Sequence, residues 1–306
     1  MDSNRIIIRE VGLRDGLQIL PQVMPTENKL DWIRQAYEAG IREIEMGSFV
    51  PASRLPQLAD TAELIKTAGA LEGLTVSALV PNFRGAQDAL QTEVDLILMP
   101  LSASHQHSLA NLRKTPGQAV EEVVKACAHR DIIGSACLVE VGLSTAFGCT
   151  IQGRVRTAAV LDLVKASLDA GADLISLADT VGYADPRQVK DLIAATREVA
   201  GDRLSCAHFH NTRGLGMANV MAALESGITR FDACLGGLGG CPHAPGASGN
   251  VATEDLVYLM SSMGYSTGID WSALMAVRAS LARWLPGEPL FGSIAQAGLP
   301  KTMVPA

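Results

Sequence analysis

The sequence predicts an α/β protein, a (β/α)8 TIM barrel with a glycine-rich loop after its eighth strand and a short C-terminal helical extension. Short runs rich in β-branched residues alternate with longer amphipathic segments, which implies βα units and a parallel sheet. Eight such runs fit within 306 residues, and no Gly-x-Gly-x-x-Gly follows the first, so a closed barrel is favoured over a doubly wound sheet. A weak internal repeat points the same way.

The strands are read at Ile6–Val11, Glu43–Met46, Thr75–Val80, Val94–Met99, Ser135–Val141, Leu174–Leu177, Ser205–His208 and Phe231–Cys234. Helical patterns lie at Glu27–Ala39, Asp60–Ala68, Ala119–His129, Arg154–Ala170, Pro186–Val199 and Leu215–Ser226. The repeat consists of Glu38-Ala39-Gly40-Ile41, Asp169-Ala170-Gly171-Ala172 and Glu225-Ser226-Gly227-Ile228. In each, glycine suits the left-handed position that ends a helix, and a short strand follows, carrying or leading to an acid: Glu45, Asp179 or Asp232. The loop Gly236–Asn250 and a last helix at Ser272–Ala282 break the alternation. With no linker in sight, the chain reads as one domain over 1–306, the barrel covering about 5–265 and the extension about 266–306.

Composition excludes several classes of function. A net charge of -7 gives no electrostatic reason to bind nucleic acid or an anionic membrane, and 4% aromatics leaves no stacking platform for RNA. No stretch reaches the roughly 20 apolar residues that span a bilayer, and the apolar run at Ile6–Ile8 is too short for a signal peptide. A cytoplasmic location is the default expectation. The six cysteines, Cys127, Cys137, Cys149, Cys206, Cys234 and Cys241, form no Cys-x-x-Cys pair, so neither a zinc ribbon nor a disulfide framework is expected.

Catalytic groups of a barrel of this kind sit at the C-terminal ends of its strands. There the sequence places Arg14, Asp15 and Gln18 after strand one, Glu45 and Ser48 at strand two, Ser176 and Asp179 at strand six, and His208 and His210 at strand seven. Two residues apart on an extended strand, His208 and His210 face the same way. Their rings with the Asp15 carboxylate would make a two-histidine, one-carboxylate set for a divalent metal. One structural and one solvent-facing histidine is the plainer alternative. Arg14 is either an ordinary partner of Asp15 or, paired with Glu45, a fixed cation able to stabilise an enolate oxygen. Cys241 could fill space, or act as a proton donor from its Gly/Pro-rich loop. Asn250 closes that loop with an amide oxygen suited to a hard cation.

Taken together, these segments resemble the 3-hydroxy-3-methylglutaryl-CoA lyases, a branch of the DRE-TIM metallolyases. The resemblance runs over nearly the whole chain in order. It is carried by EVGLRDGLQ (Glu10–Gln18), Glu45–Val50, Pro81-Asn82, STAFGC (Ser144–Cys149), SLADTVG (Ser176–Gly182), HFHNTRG (His208–Gly214) and, most specifically, GLGGCPHAPGASGNVATEDLVY (Gly237–Tyr258). It implies that Asp15, His208, His210 and Asn250 bind Mg2+ or Mn2+, that Arg14 stabilises an enolate and that Cys241 acts in acid–base chemistry. It further implies supporting acids at Glu45 and Asp179, and substrate contacts at Gln18, Ser48, Ser176 and Asn82. The implied reaction is retro-Claisen cleavage of an acyl-CoA to acetyl-CoA and a keto acid, with His208 or Asp15 as the base. The implied assembly is a homodimer, and the implied setting leucine degradation.

Departures from the family pattern fall around the expected pocket: Ile19 and Leu20, His105 and His107, Glu140, Gly142 in place of an aromatic residue, and Thr150-Ile151. Space vacated at Gly142 would favour a bulkier or citramalyl-type substrate unless neighbours refill it. A condensing acyltransferase like isopropylmalate synthase is a further alternative, disfavoured by the Gly-Gly-Cys-Pro loop and the absence of a long C-terminal regulatory domain. A non-catalytic paralogue would be expected to lose a ligand or Arg14, and neither is lost.

Overall fold

A computed structural model describes residues 4–239 and 249–301. Eight parallel strands close in chain order into a barrel: β1 (Ile7–Glu10), β2 (Glu43–Ser48), β3 (Thr75–Leu79), β4 (Leu96–Ser102), β5 (Leu138–Ser144), β6 (Leu174–Asp179), β7 (Leu204–Phe209) and β8 (Arg230–Ala233). β8 pairs with β1 from Ile7↔Arg230 to Glu10↔Ala233, which leaves no sheet edge.

The connecting helices are α1 (Thr26–Glu38), α2 (Thr61–Ala68), α3 (Phe83–Ala89), α4 (His105–Leu112), α5 (Pro116–Ile132), α6 (Thr157–Asp169), α7 (Pro186–Ala200) and α8 (Gly216–Glu225). After the loop come α9 (Thr253–Ser262), α10 (Trp271–Trp284) and α11 (Ser293–Ala297). Gly40, Gly171 and Gly227 have φ of 101°, 96° and 87°, the left-handed conformation expected of the repeat.

The short helices α3, α4 and α9 are additional to the sequence reading. Asn82 Oδ1 accepts from the Gly85 N–H and Ser104 Oγ from His107, so polar caps start α3 and α4 where periodicity is too brief to register. Strands β4 to β6 extend two or three residues beyond the expected C-terminal ends, towards the mouth.

An apolar layer between sheet and helices forms the core, with Trp32, Ile33, Ile44, Ile65, Val139, Ile175, Phe231 and Leu256 buried. The inside of the barrel is different. At its floor, Arg9 bonds Asp232 through Nε (2.7 Å) and Nη2 (3.1 Å), and Glu140 through Nη1 and Nη2 (both 3.1 Å). Arg230 reaches the same Glu140 at 3.1 Å and Glu43 at 2.6 Å. Glu140 therefore belongs to a closed ion network at the floor, rather than altering the polar lining of a pocket as its departure from the family pattern suggests.

Candidate active site

Beyond β1 the chain turns once as a π-helical turn, Gly12–Gly16, with the Asp15 N–H 2.7 Å from the Val11 carbonyl. Single π turns of this kind gather at functional sites. This one needs glycine at position 12, where a Cβ would lie 2.6 Å from Glu10 Oε1 and from the Trp32 ring. The buried Glu10 carboxylate accepts the Gly12 and Leu235 N–H groups (both 3.0 Å) and the Thr253 hydroxyl (2.6 Å). It thus ties the turn bearing Arg14 and Asp15 to the segment after β8 and to the start of α9. Burial, against those three hydrogen bonds, pushes Glu10 up to about 7.

The turn delivers Arg14 and Asp15, both buried, to the barrel mouth. Arg14 donates from Nε to Glu45 Oε2 (2.7 Å) and from Nη1 to Asp15 Oδ1 (2.5 Å). Asp15 also accepts from Gln18 Nε2 (2.8 Å) and Asn250 Nδ2 (2.6 Å). Burial raises the Asp15 pKa, but the Arg14 guanidinium and His210 and His208 outweigh it and hold the carboxyl well below its usual range.

His208 is the penultimate residue of β7 and His210 lies just past its end, their ring centroids 5.0 Å apart. His208 Nδ1 is 3.1 Å from Asp232 Oδ2, and His210 Nε2 is 3.5 Å from Asp15 Oδ2. One ligand atom from each of Asp15, His208 and His210 lies within 4.8 Å of the others. Asn250 joins them through an isolated β-bridge to His210, so the end of the glycine-rich loop is stitched to β7. Gly239, at its start, has φ of 93°, and a Cβ there would sit 2.5 Å from Asn250 Nδ2 and 3.1 Å from Asp15 Oδ2.

The donor set suits a hard divalent cation. Among the described residues Asn250 Oδ1, Glu45 Oε1 and His210 Nδ1 are buried without a hydrogen-bond partner, and an orphaned buried acceptor is costly unless something binds it. Formal charge agrees. Inside the barrel Arg9, Arg14 and Arg230 face Glu43, Glu45, Asp15, Glu140 and Asp232, a deficit of two positive charges.

The other candidates divide. Asp179 spends both carboxylate oxygens on the N–H groups of Tyr183 and Ala184, shaping the loop after β6. Ser48 Oγ accepts from the Val50 N–H, and the Asn82 side-chain oxygen serves as the cap of α3. Buried Ser176 lies beside Gly142, where a Cβ would meet Leu98 Cδ1 at 3.2 Å and Ser176 Oγ at 3.4 Å. Leu98 thus refills part of the space that Gly142 vacates. His107 Nδ1 contacts Ser102 Oγ at 3.0 Å, while His105 is exposed on α4. Cys241 lies outside the described residues. Sequence reasoning missed Glu10, which stands inside a quoted motif, and Arg9, and it noted Asp232 only as an acid following the repeat; Arg9 reaches its partners across more than 100 residues.

Comparison with known proteins accords with this geometry. Residues 5–281 match the HMGL-like family. The chain belongs to that family. It is 37% identical over 289 residues to a hydroxymethylglutaryl-CoA lyase of Bacillus subtilis, covering 94% of this chain and 95% of the relative. It is also 37% identical over 303 residues to an (R)-citramalyl-CoA lyase of Chloroflexus aurantiacus, covering 96% and 95%. A solved HMG-CoA lyase from Acinetobacter baumannii, in complex with coenzyme A and 3-methylmalate, superposes with a TM-score of 0.92 at 38% identity, covering 100% of this chain and 99% of that one. These HMGL-like relatives are carbon–carbon lyases, and so is this chain.

Proposed function

We propose that the protein cleaves a branched 3-hydroxyacyl-CoA thioester by a divalent-metal-dependent retro-Claisen reaction, giving acetyl-CoA and a keto acid. The observation that carries this reading is the convergence of Asp15, His208 and His210 beside an unpartnered Asn250 Oδ1, with Arg14 locked alongside. Asp15, His208, His210 and Asn250 would hold Mg2+ or Mn2+, which when bound polarises the oxygens it contacts.

The protein's own groups account for the rest. Of the two candidate bases, His208 and Asp15, His208 would have both ring nitrogens engaged once it holds the metal, Nδ1 by Asp232 and Nε2 as ligand, which leaves the Asp15 carboxylate to take the hydroxyl proton of the tertiary alcohol. The electron pair of the breaking carbon–carbon bond then passes to the thioester as an enolate. Glu45 and Asp15 fix Nε and Nη1 of Arg14, and no described residue accepts from its Nη2. That free donor is available to the enolate oxygen, where preorganised charge is worth most. Cys241 is proposed to protonate the enolate carbon; Cys241→Ser should retain the fold and lose most activity.

Within this reading the acyl part is a methylglutaryl-type or citramalyl-type group. The 37% identity to lyases of both kinds supports either, and the wall formed by Leu98 beside Gly142 favours a compact group over a bulky one. A coupled assay of 3-hydroxy-3-methylglutaryl-CoA, citramalyl-CoA and bulkier analogues, with Mg2+ or Mn2+ added, tests the proposal. Acetyl-CoA release from at least one thioester, abolished by chelator, is expected; release unaffected by chelator overturns the metal assignment.

A further inference from the structure

Asp232 takes no part in the proposed chemistry, yet both its oxygens are engaged, by three groups. Oδ2 accepts from His208 Nδ1 at 3.1 Å and from Arg9 Nη2 at 3.1 Å; Oδ1 accepts from Arg9 Nε at 2.7 Å and from the Cys206 thiol at 3.3 Å. Asp232 and Arg9 are buried, and Arg9 is itself anchored by both oxygens of Glu140. The arrangement has two consequences. With Nδ1–H donated to a fixed carboxylate, His208 is set in one tautomer, and its Nε2 is the nitrogen left to bind a ligand. With Arg9 gripping both its oxygens, Asp232 cannot swing up and become a ligand.

We infer that Asp232 and Arg9 are positioning residues for the metal, a buried pair that orients His208 from the floor of the barrel. The inference rests on the metal reading given above. Carboxylates that orient a ligating histidine contribute roughly 10- to 100-fold to metal affinity. The Arg9 guanidinium offsets the desolvation that would favour a neutral carboxyl in this buried place, and its two contacts hold the carboxylate immobile.

The test is calorimetric titration of the full chain with Mn2+ alone, without substrate, for wild type and Asp232→Asn. The expected result is a dissociation constant roughly 10- to 100-fold weaker in the variant. Asp232→Asn strands part of the Arg9 charge, so the double variant Arg9→Met with Asp232→Asn serves where the single one fails to fold; Glu140 then keeps Arg230 as its partner. A second readout is the 15N spectrum of the histidine rings in metal-free protein at mildly alkaline pH. It should show His208 protonated at Nδ1 in wild type and as a mixture of tautomers in the variant. If wild type takes up no Mn2+, the metal reading itself fails. If wild type and folded variants bind Mn2+ equally, or His208 shows no Nδ1 proton in wild type, the metal reading stands and the positioning role is overturned.

Discussion

At the floor of the barrel every carboxylate oxygen of Glu140 and Asp232 accepts a hydrogen bond, and both are gripped by arginine. At the mouth, joined to that floor through the contact of Asp232 with His208, Glu45 Oε1, Asn250 Oδ1 and His210 Nδ1 are equally buried and have no partner among the described residues. The two regions are built from the same residue types, so burial and charge alone do not mark a site. Saturation does. A saturated network holds its shape and rigidifies the barrel, whereas an unsaturated one carries a desolvation cost that a bound cation would remove.

Paired substitutions test that contrast most strongly. Asp15→Asn should abolish heats of Mn2+ binding and lower lyase turnover by roughly 10³-fold, since metal polarisation is worth several kcal/mol. Glu140→Gln, at the floor, should do the reverse: a loss of about 3 kcal/mol in denaturant stability, because two buried guanidiniums lose their shared anion, with turnover of the folded enzyme nearly kept. Turnover failing with Glu140→Gln as badly as with Asp15→Asn would erase the distinction. Next in size, Arg14→Lys keeps the charge at the mouth but not the planar fork. Its turnover should fall by about 10²-fold while Mn2+ affinity changes little.

Glu10 sharpens the comparison through pH. Its folded pKa of about 7 lies above the ordinary 4.5, so the folded state holds a proton that the unfolded chain has released across that window. Stability from this group is therefore complete below about pH 4.5 and lost as pH rises through 7, by about 3 kcal/mol in all. Glu10→Gln should flatten that part of the stability–pH curve in thermal melts; an unchanged slope would place the titration elsewhere. The smallest effect is expected at Leu98→Ala, which reopens the space beside Gly142. It should shift kcat/KM towards bulkier acyl groups by roughly tenfold, the scale of methylene discrimination in apolar pockets.

Much of this was legible in the sequence because the determinants are local. The His208-Phe209-His210 spacing, the acid one turn beyond β1 and the glycines closing three helices each act within a few residues, and the barrel brings them together. The Arg14–Glu45 pair also followed, from neighbouring strands. The floor network was not legible. In Ile7-Ile8-Arg9-Glu10 nothing local reveals that Arg9 turns inward while Glu10 packs behind the sheet, because their side-chain partners lie 131 to 243 residues away. Gly142 misled for a related reason: a missing side chain reads as space until the neighbouring strand supplies Leu98.

Gly239 has a consequence for engineering. With φ of 93° and no room for a Cβ beside Asn250 and Asp15, it is bound in register to an asparagine 11 positions later in the chain. Loops grafted here from other barrels need glycine at 239 and asparagine at 250 to meet these contacts, and a cysteine at 241 wherever the proposed proton donor is to be kept. A library that randomises position 239 would therefore discard its own members at the step where the site assembles.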